Sequence, residues 1–242
     1  MKTPLIICAI ALAALGAGNV ALAAEPTRDT RVATGFSRIE IDGQAEVILV
    51  QGTSEGVTVE ATAQALQQID TDVRNRTLSI TLSDQRSWWD WILGGKATRS
   101  PRITINFINL ERIEAAGSVN FTASTVKAED LRLEFAGACT LRIGDLQASR
   151  LRLDGAGAVK AELAGKVPAQ FIDLSGVSSY QAGGLVSESA KLQVSGAGKA
   201  LINASKSLKV EISGAGVVRY IGDPRIEQEI SGVGKITRWE GS

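Results

Sequence analysis

The chain has 242 residues, equal numbers of basic and acidic side chains (26 of each) and no histidine. A neutral chain of this kind is unsuited to nucleic acid, which requires a strongly basic face. The absence of histidine excludes His-based catalytic triads, His-ligated zinc or haem and the commonest general base. The length is sufficient for one or two domains with an apolar core.

Residues 1–23 read as a secretory signal peptide, and residues 24–35 as a short linker. Lys2 supplies the positive charge, an apolar stretch follows, and an A-L-A sequence offers small residues for cleavage before Ala24. An N-terminal transmembrane anchor is the alternative interpretation. We therefore expect an exported protein, located in the periplasm, with secretion or cell-surface display as alternatives.

Residues 36–110 predict a β-rich N-terminal half that packs against or caps the repeats that follow. The segment IEIDGQAEVILV, centred on Gly43, is one outlying copy of that repeat. Period-two alternation of apolar residues predicts further strands. In chain order, the predicted elements are a strand over 57–61, a helical turn over 63–69, a hairpin over 72–82 turning at Asn75-Arg76, and a strand over 103–107.

A glycine-centred motif recurs through residues 111–238, and subtraction of neighbouring glycine positions gives spacings of 20, 18, 21, 20, 18 and 18 residues. Apolar residues stand two and four positions before each glycine and four positions after it, which indicates two short strands joined at a bend. A fixed period near twenty is typical of stacked repeats. We predict an all-β β-solenoid with coils of about 18–21 residues, most simply a right-handed parallel β-helix. The anchor glycines are Gly117, Gly137, Gly155, Gly176, Gly196, Gly214 and Gly232.

Cys139 is the only cysteine outside the predicted signal peptide, so no intrachain disulfide is expected. Its place in the repeat predicts a small apolar core residue, and a reactive thiol is the weaker alternative.

Several of these segments resemble the head GIN domain family, exported bacterial domains often described as autotransporter adhesin heads. The similarity spans about residues 36–236, and its strongest parts are FSRIEIDGQAEVILVQG at 36–52, TLSITL at 77–82 and EISGAGVVRYIGDPRIEQEISGVGKI at 211–236. The resemblance implies a β-helical exported domain and no assigned biochemical activity. A self-translocating autotransporter carries a large C-terminal membrane domain, whereas the repeats here run almost to Ser242. A soluble envelope protein is therefore expected.

An acidic column is predicted on the outer face, three positions before the anchor glycines. Such a column could bind divalent cations or a basic ligand, but we favour a solvated face that keeps the strands from aggregating. No metal site and no cofactor are predicted. The column contains Glu40, Glu114, Glu134, Asp173, Glu211 and Glu229, with Arg152 and Gln193 at the remaining places.

A column of small residues directly precedes the anchor glycines. Its serines are interpreted as turn formers rather than nucleophiles, because no histidine or lysine column accompanies them. The column contains Ala116, Ala136, Asp154, Ser175, Ser195, Ser213 and Ser231.

A tryptophan-rich segment between the predicted strands is the sharpest candidate binding site. Clustered tryptophan with nearby basic residues is the composition of a binding hot spot or a membrane-surface contact. The alternative, weighed equally, is that the indoles plug one end of the solenoid. The candidate residues are Arg86, Trp88, Trp89, Trp91, Ile92 and Lys96.

The sequence predicts a non-enzymatic, exported envelope protein that binds or scaffolds an envelope protein, a glycan or a membrane surface. No catalytic residue is assigned. A carbohydrate-active lyase or hydrolase is one alternative. Asp154 near Arg152 is the pair of residues in this sequence most similar to a catalytic site of that kind. A purely structural envelope protein is the other.

Overall fold

The computed structural model describes residues 27–83 and 100–240, which form a β-solenoid. The predicted all-β solenoid is thereby confirmed. None of the helical structure in these two ranges is long and apolar enough to cross a membrane. The elements are β1 (Thr27–Arg31), β2 (Arg38–Gln51), β3 (Gly56–Ala61), α1 (Ala63–Leu66), β4 (Ile69–Arg74), β5 (Thr77–Leu82), β6 (Arg102–Phe107), β7 (Arg112–Lys127), β8 (Asp130–Gln147), β9 (Arg150–Lys166), β10 (Ala169–Ile221) and β11 (Arg225–Arg238).

Parallel pairing of successive coils builds the solenoid. Strands β2, β7, β8, β9, β10 and β11 lie side by side in that order. Each coil is one long strand: β7, β8 and β9 have 16, 18 and 17 residues and continue through the anchor glycine. Strand β10, with 53 residues, contains three anchor glycines and spans three coils. The expectation of two separate short strands per coil was wrong, because the glycine bends the strand without interrupting its pairing.

A glycine with left-handed backbone conformation occupies the same position in every coil of this stack. A Cβ atom on Gly157 would lie 2.5 Å from the carbonyl oxygen of Gly137 in the preceding coil. The position therefore requires glycine twice over, for its φ angle and for its lack of a side chain. The column, with φ from +93° to +131°, consists of Gly43, Gly117, Gly137, Gly157, Gly176, Gly196, Gly214 and Gly232.

The structure corrects the predicted anchor in one coil. Gly157, and not Gly155, pairs with Gly137 on one side and Gly176 on the other. Gly155 is buried among the inward-facing positions instead. Counting from Gly117, the spacings are then 20, 20, 19, 20, 18 and 18 residues, a more regular period than the sequence suggested.

The N-terminal strands add one incomplete coil to the stack and cover that end of it. Strand β5 pairs in parallel with the first half of β2, and β6 pairs with the second half. Strands β4, β3 and β1 then extend this layer in antiparallel fashion. The predicted hairpin is confirmed as β4–β5, with Asn75 and Arg76 at positive φ. The predicted strands over 57–61 and 103–107 are present as β3 and β6, and the helical turn as α1.

Inward-facing apolar side chains of all coils form one continuous core. The rings of Phe121 and Phe135 stack at 5.7 Å between neighbouring coils. Tyr180 donates a 2.7 Å hydrogen bond to Gln170 inside the core, and burial raises the pKa of this tyrosine. Cys139 is buried in the core, as predicted, and burial raises the pKa of its thiol.

Replacement of a corner glycine tests the corrected register. We expect Gly157→Ala to destabilise the fold by at least about 2 kcal/mol, because alanine would be strained at this φ and its methyl group would meet a carbonyl oxygen. Gly155→Ala should cost less, since its methyl group meets only side-chain atoms of Leu174 and Val159. Gly52→Ala, where the added atom meets open space, is the control. Urea unfolding followed by circular dichroism measures all three, and equal losses at 155 and 157 would contradict the register.

Candidate functional site

A strip of small, uncharged residues follows the glycine corner along the outside of the solenoid. The residues directly before and directly after each anchor glycine are exposed in every coil from β2 to β11. With neighbouring strands about 4.8 Å apart, the strip is roughly 34 Å long. Asp42 is its only charged member. The two flanking columns are Asp42, Ala116, Ala136, Ala156, Ser175, Ser195, Ser213 and Ser231 before the glycines, and Gln44, Ser118, Ala138, Ala158, Val177, Ala197, Ala215 and Val233 after them.

A charge ladder lies beside this small-residue strip. It consists of two outward-facing columns, one mostly basic and five positions before the glycines, the other mostly acidic and three positions before them. The sequence analysis did not predict the basic column, although the repeated R-[IL]-[ED] pattern indicates it. The basic column contains Arg38, Arg112, Arg132, Arg152, Lys191 and Lys209, and the acidic column Glu40, Glu114, Glu134, Asp154, Asp173, Glu211 and Glu229.

Ion pairs within the ladder connect several neighbouring coils. The Arg112 guanidinium lies 2.7 Å from a carboxylate oxygen of Glu114 in its own coil and 2.7 Å from one of Glu134 in the next. Arg132 contacts Glu134 and Asp154 in the same manner. The hydrogen bond to Glu134 raises the pKa of Arg112. Because these pairs are partly exposed, each contributes little to stability, but together they neutralise the face.

The corrected register completes the acidic column with Asp154 and moves Arg152 to the basic column. Arg152 Nε lies 2.7 Å from Asp154 Oδ2, and its Nη2 lies 3.0 Å from Oδ1. Arginine side chains therefore lie between the carboxylates of neighbouring coils. Their positive charge explains why these carboxylates can lie close together without a bound cation. Across residues 27–83 and 100–240, no group of three or more carboxylates or thiols could hold a metal ion.

An open groove of about 630 Å³ lies between the ladder and the strip, from β2 to the first coil of β10. At its β10 end the regular pattern changes. Phe171 replaces the basic residue and is 40% exposed. Asp173, which lines the groove, forms no ion pair with any residue in the described part of the chain. This end of the groove thus offers an aromatic ring and an uncompensated carboxylate near Arg152, to which Phe171 is paired in register.

The serine column lies beside the corner glycines, within the small-residue strip. Ser175 donates a 3.3 Å hydrogen bond to the carbonyl oxygen of Gly155 in the preceding coil. In that coil Ala156, and not Asp154, directly precedes the anchor glycine. The two-point contact with Arg152 holds the Asp154 carboxylate, so a role as general acid or base would first require that pair to open.

The predicted tryptophan site lies outside the described residues, but the structure shows where its segment is attached. Residues 82–101 separate the part of β5 that pairs with β2 from the part of β6 that pairs with β2, whereas β2 itself spans the same interval with residues 43–45. Gln44 donates a 2.9 Å hydrogen bond to Ser100, and a Cβ atom on Gly43 would touch Leu82. The described residues that flank the tryptophan-rich segment, Leu82 and Ser100, therefore lie at the glycine corner, at one end of the small-residue strip. The residues not described are Arg86, Trp88, Trp89, Trp91, Ile92 and Lys96.

Comparison with known proteins identifies one family and several structures. The sequence profile of the family described as "Putative auto-transporter adhesin, head GIN domain" matches residues 35–224. No curated protein sequence matches this chain.

Three solved structures share the fold at low sequence identity. A putative adhesin from Bacteroides fragilis superposes with a TM-score of 0.83 at 19% identity, covering 90% of this chain and 98% of that one. A putative lipid binding protein from Parabacteroides distasonis gives 0.70 at 19% identity, covering 89% and 97%. A putative adhesin from Parabacteroides merdae gives 0.68 at 16% identity, also covering 89% and 97%.

The ladder predicts a pH-dependent contribution to stability from Glu211. A hydrogen bond from Lys209 lowers the pKa of Glu211. A carboxylate whose pKa is depressed by folding stabilises the fold at neutral pH, and this contribution is lost as the pH falls through its folded pKa. We expect Glu211→Gln to lower Tm slightly at pH 7, and this difference from wild type to shrink as the pH falls through the lowered pKa of Glu211. Asp173→Asn is the matched control in the same column, and equal effects of both variants at pH 7 would contradict the assignment.

Proposed function

We propose that this chain, which belongs to the head GIN domain family, is a non-enzymatic, exported envelope protein that binds or scaffolds through the outer face of its solenoid. The observation that carries the proposal is the small-residue strip, which is exposed in every stacked coil and contains no charged residue except Asp42. Periplasmic location is the expectation from the predicted signal peptide at residues 1–23.

The strip has the properties of an extended contact surface. Glycine, alanine and serine lose little side-chain entropy when they are covered, and they let a partner approach the sheet closely. The backbone beneath them is already hydrogen-bonded within the parallel stack, so binding requires no backbone rearrangement. A repeating surface of this kind suits a partner that is itself extended or flat.

Charge compensation in the neighbouring ladder favours a glycan or protein partner over an anionic membrane. Attraction to anionic lipid requires clustered lysine or arginine without nearby acids. Here Arg112, Arg132 and Arg152 each contact one or two carboxylates. The similar structure from Parabacteroides distasonis is described as a lipid binding protein, so lipid vesicles belong in the test.

A non-enzymatic role is supported by the chemistry of the groove. Asp154, the residue nearest to a glycosidase-type carboxylate, is paired with Arg152. The exposed serines of the strip have no histidine in the chain to activate them. The groove therefore has the side chains of a binding surface rather than those of a hydrolase or lyase.

The tryptophan-rich insertion is proposed as an anchor for the same partner. Its two attachment points lie at the glycine corner of β2, where the strip begins. Aromatic side chains beside basic ones are typical of contact hot spots. An anchor at the end of the strip would add a strong local contact to a long, weak surface.

A charge placed in the strip should weaken binding. Ala138 is exposed between Ser118 and Ala158, so Ala138→Glu introduces a bulky carboxylate into the contact surface without entering the core. We expect at least a tenfold loss of co-sedimentation of residues 24–242 with peptidoglycan sacculi or with the membrane-protein fraction of the envelope. Vesicles of zwitterionic and anionic lipid are titrated in parallel.

Thr122→Glu is the matched control for this experiment. Thr122 is exposed on the same sheet outside the strip, beside Arg142, so the new carboxylate is tolerated there. Equal binding of wild type and Ala138→Glu to every fraction would refute the strip as a contact surface. If wild type and Ala138→Glu both bound lipid vesicles and no other fraction, the partner would be the membrane, and the contact surface would lie outside the strip.

Tryptophan fluorescence tests the insertion. In a Trp239→Phe variant every remaining tryptophan lies in the segment from Trp88 to Trp91. We expect red-shifted emission that acrylamide quenches readily, and protection from quenching when the partner fraction is added. Blue-shifted, protected emission from the isolated protein would show that the indoles are buried, and the anchor proposal would fall.

A further inference from the structure

The stack exposes its apolar interior at β11. Among the described residues, this strand pairs only with β10. Ile226 is 37% exposed and Ile230 is 39% exposed. Their partners in the preceding coil, Leu208 and Ile212, are 1% and 2% exposed. This end of the solenoid therefore presents both unsatisfied strand backbone and an open apolar core to its surroundings.

We propose that a second copy of this chain covers this end, by antiparallel pairing of β11 with the partner's β11 about a two-fold axis at Gly232. In an antiparallel pair, directly opposed residues point to the same face of the sheet. Residues equidistant from Gly232 are opposed in this arrangement. The inward-facing positions of both strands then face each other, with Ile230 opposite Gly234, Gln228 opposite Ile236 and Ile226 opposite Arg238.

The charges of β11 are complementary to themselves under this symmetry. Before Gly232 the strand carries Arg225, Glu227 and Glu229, and after it Lys235 and Arg238. Glu229 is opposed by the partner's Lys235, and the symmetry repeats this pair. The same residues would not place Glu229 opposite Lys235 if β11 paired with a parallel copy of itself or with an unrelated strand.

Other features of the edge agree with a two-fold contact. Ile230 is opposed by the partner's Gly234, so the contact places no second bulky side chain directly opposite it. The opposite end of the solenoid differs, because β1, β3 and the β4–β5 hairpin add antiparallel strands there. Head-to-tail stacking would have to join unlike ends, whereas the two-fold contact joins like ends and closes the assembly.

The test is sedimentation velocity of residues 24–242 over a range of protein concentrations. We expect a concentration-dependent monomer–dimer equilibrium that weakens as salt is raised. Lys235→Glu should weaken dimerisation at least tenfold, because it turns both symmetric ion pairs into repulsions. The double variant Glu229→Lys/Lys235→Glu should restore it, since the reversed pairs are again complementary.

Lys199→Glu is the matched control, because Lys199 is exposed at the equivalent position two coils earlier. Thermal unfolding of each variant at low concentration verifies that the monomer remains folded. A monomer at every concentration would overturn the proposal. So would a Lys235→Glu dimer as strong as wild type, or a double variant as weak as the single one, because either result excludes the Glu229–Lys235 contact.

Discussion

Everything else in this solenoid depends on the close approach of stacked glycines at the corner of each coil. The carbonyl oxygen of one glycine occupies the space where the next glycine would carry its Cβ atom, as between Gly137 and Gly157. A residue with a side chain fits neither this gap nor the left-handed φ. The column therefore sets both the distance between coils and the residue at which neighbouring coils are aligned.

Alignment of neighbouring coils at their glycines determines which side chains are stacked on the outer face. Once Gly137 and Gly157 are opposed, the residues before and after them are stacked as well, and every repeated sequence feature becomes a continuous column. The repeated R-[IL]-[ED] segment becomes a charge ladder, and the repeated small residues become a strip. A shift of one residue would turn both columns inward, so the apolar core and the outer surface are specified by the same register.

Much of this arrangement could be predicted from the sequence, because the period and the alternation are local patterns. The error at Gly155 arose because two glycines, Gly155 and Gly157, stand two positions apart, and alternation alone cannot distinguish them. Only pairing with Gly137 does so. The error placed Arg152 in the acidic column and Asp154 in the small-residue column, and it obscured the basic column. The coil formed by β5 and β6 could not be recognised either, because residues 82–101 separate its halves by a whole period.

Two departures from the repeat are not explained by the stacking itself. A basic residue at position 171 would satisfy Asp173 and continue the ladder, yet an exposed Phe171 stands there. A short glycine corner would complete the β5–β6 coil, yet a tryptophan-rich insertion replaces it. Exposed aromatic residues are costly on a surface that must resist aggregation, and natural sequences depart from local consistency mainly at functional sites. Phe171 lies in the coil at the β10 end of the groove, and the described residues on either side of the insertion, Leu82 and Ser100, lie beside the first glycine corner, so both departures from the repeat adjoin the coils that line the groove.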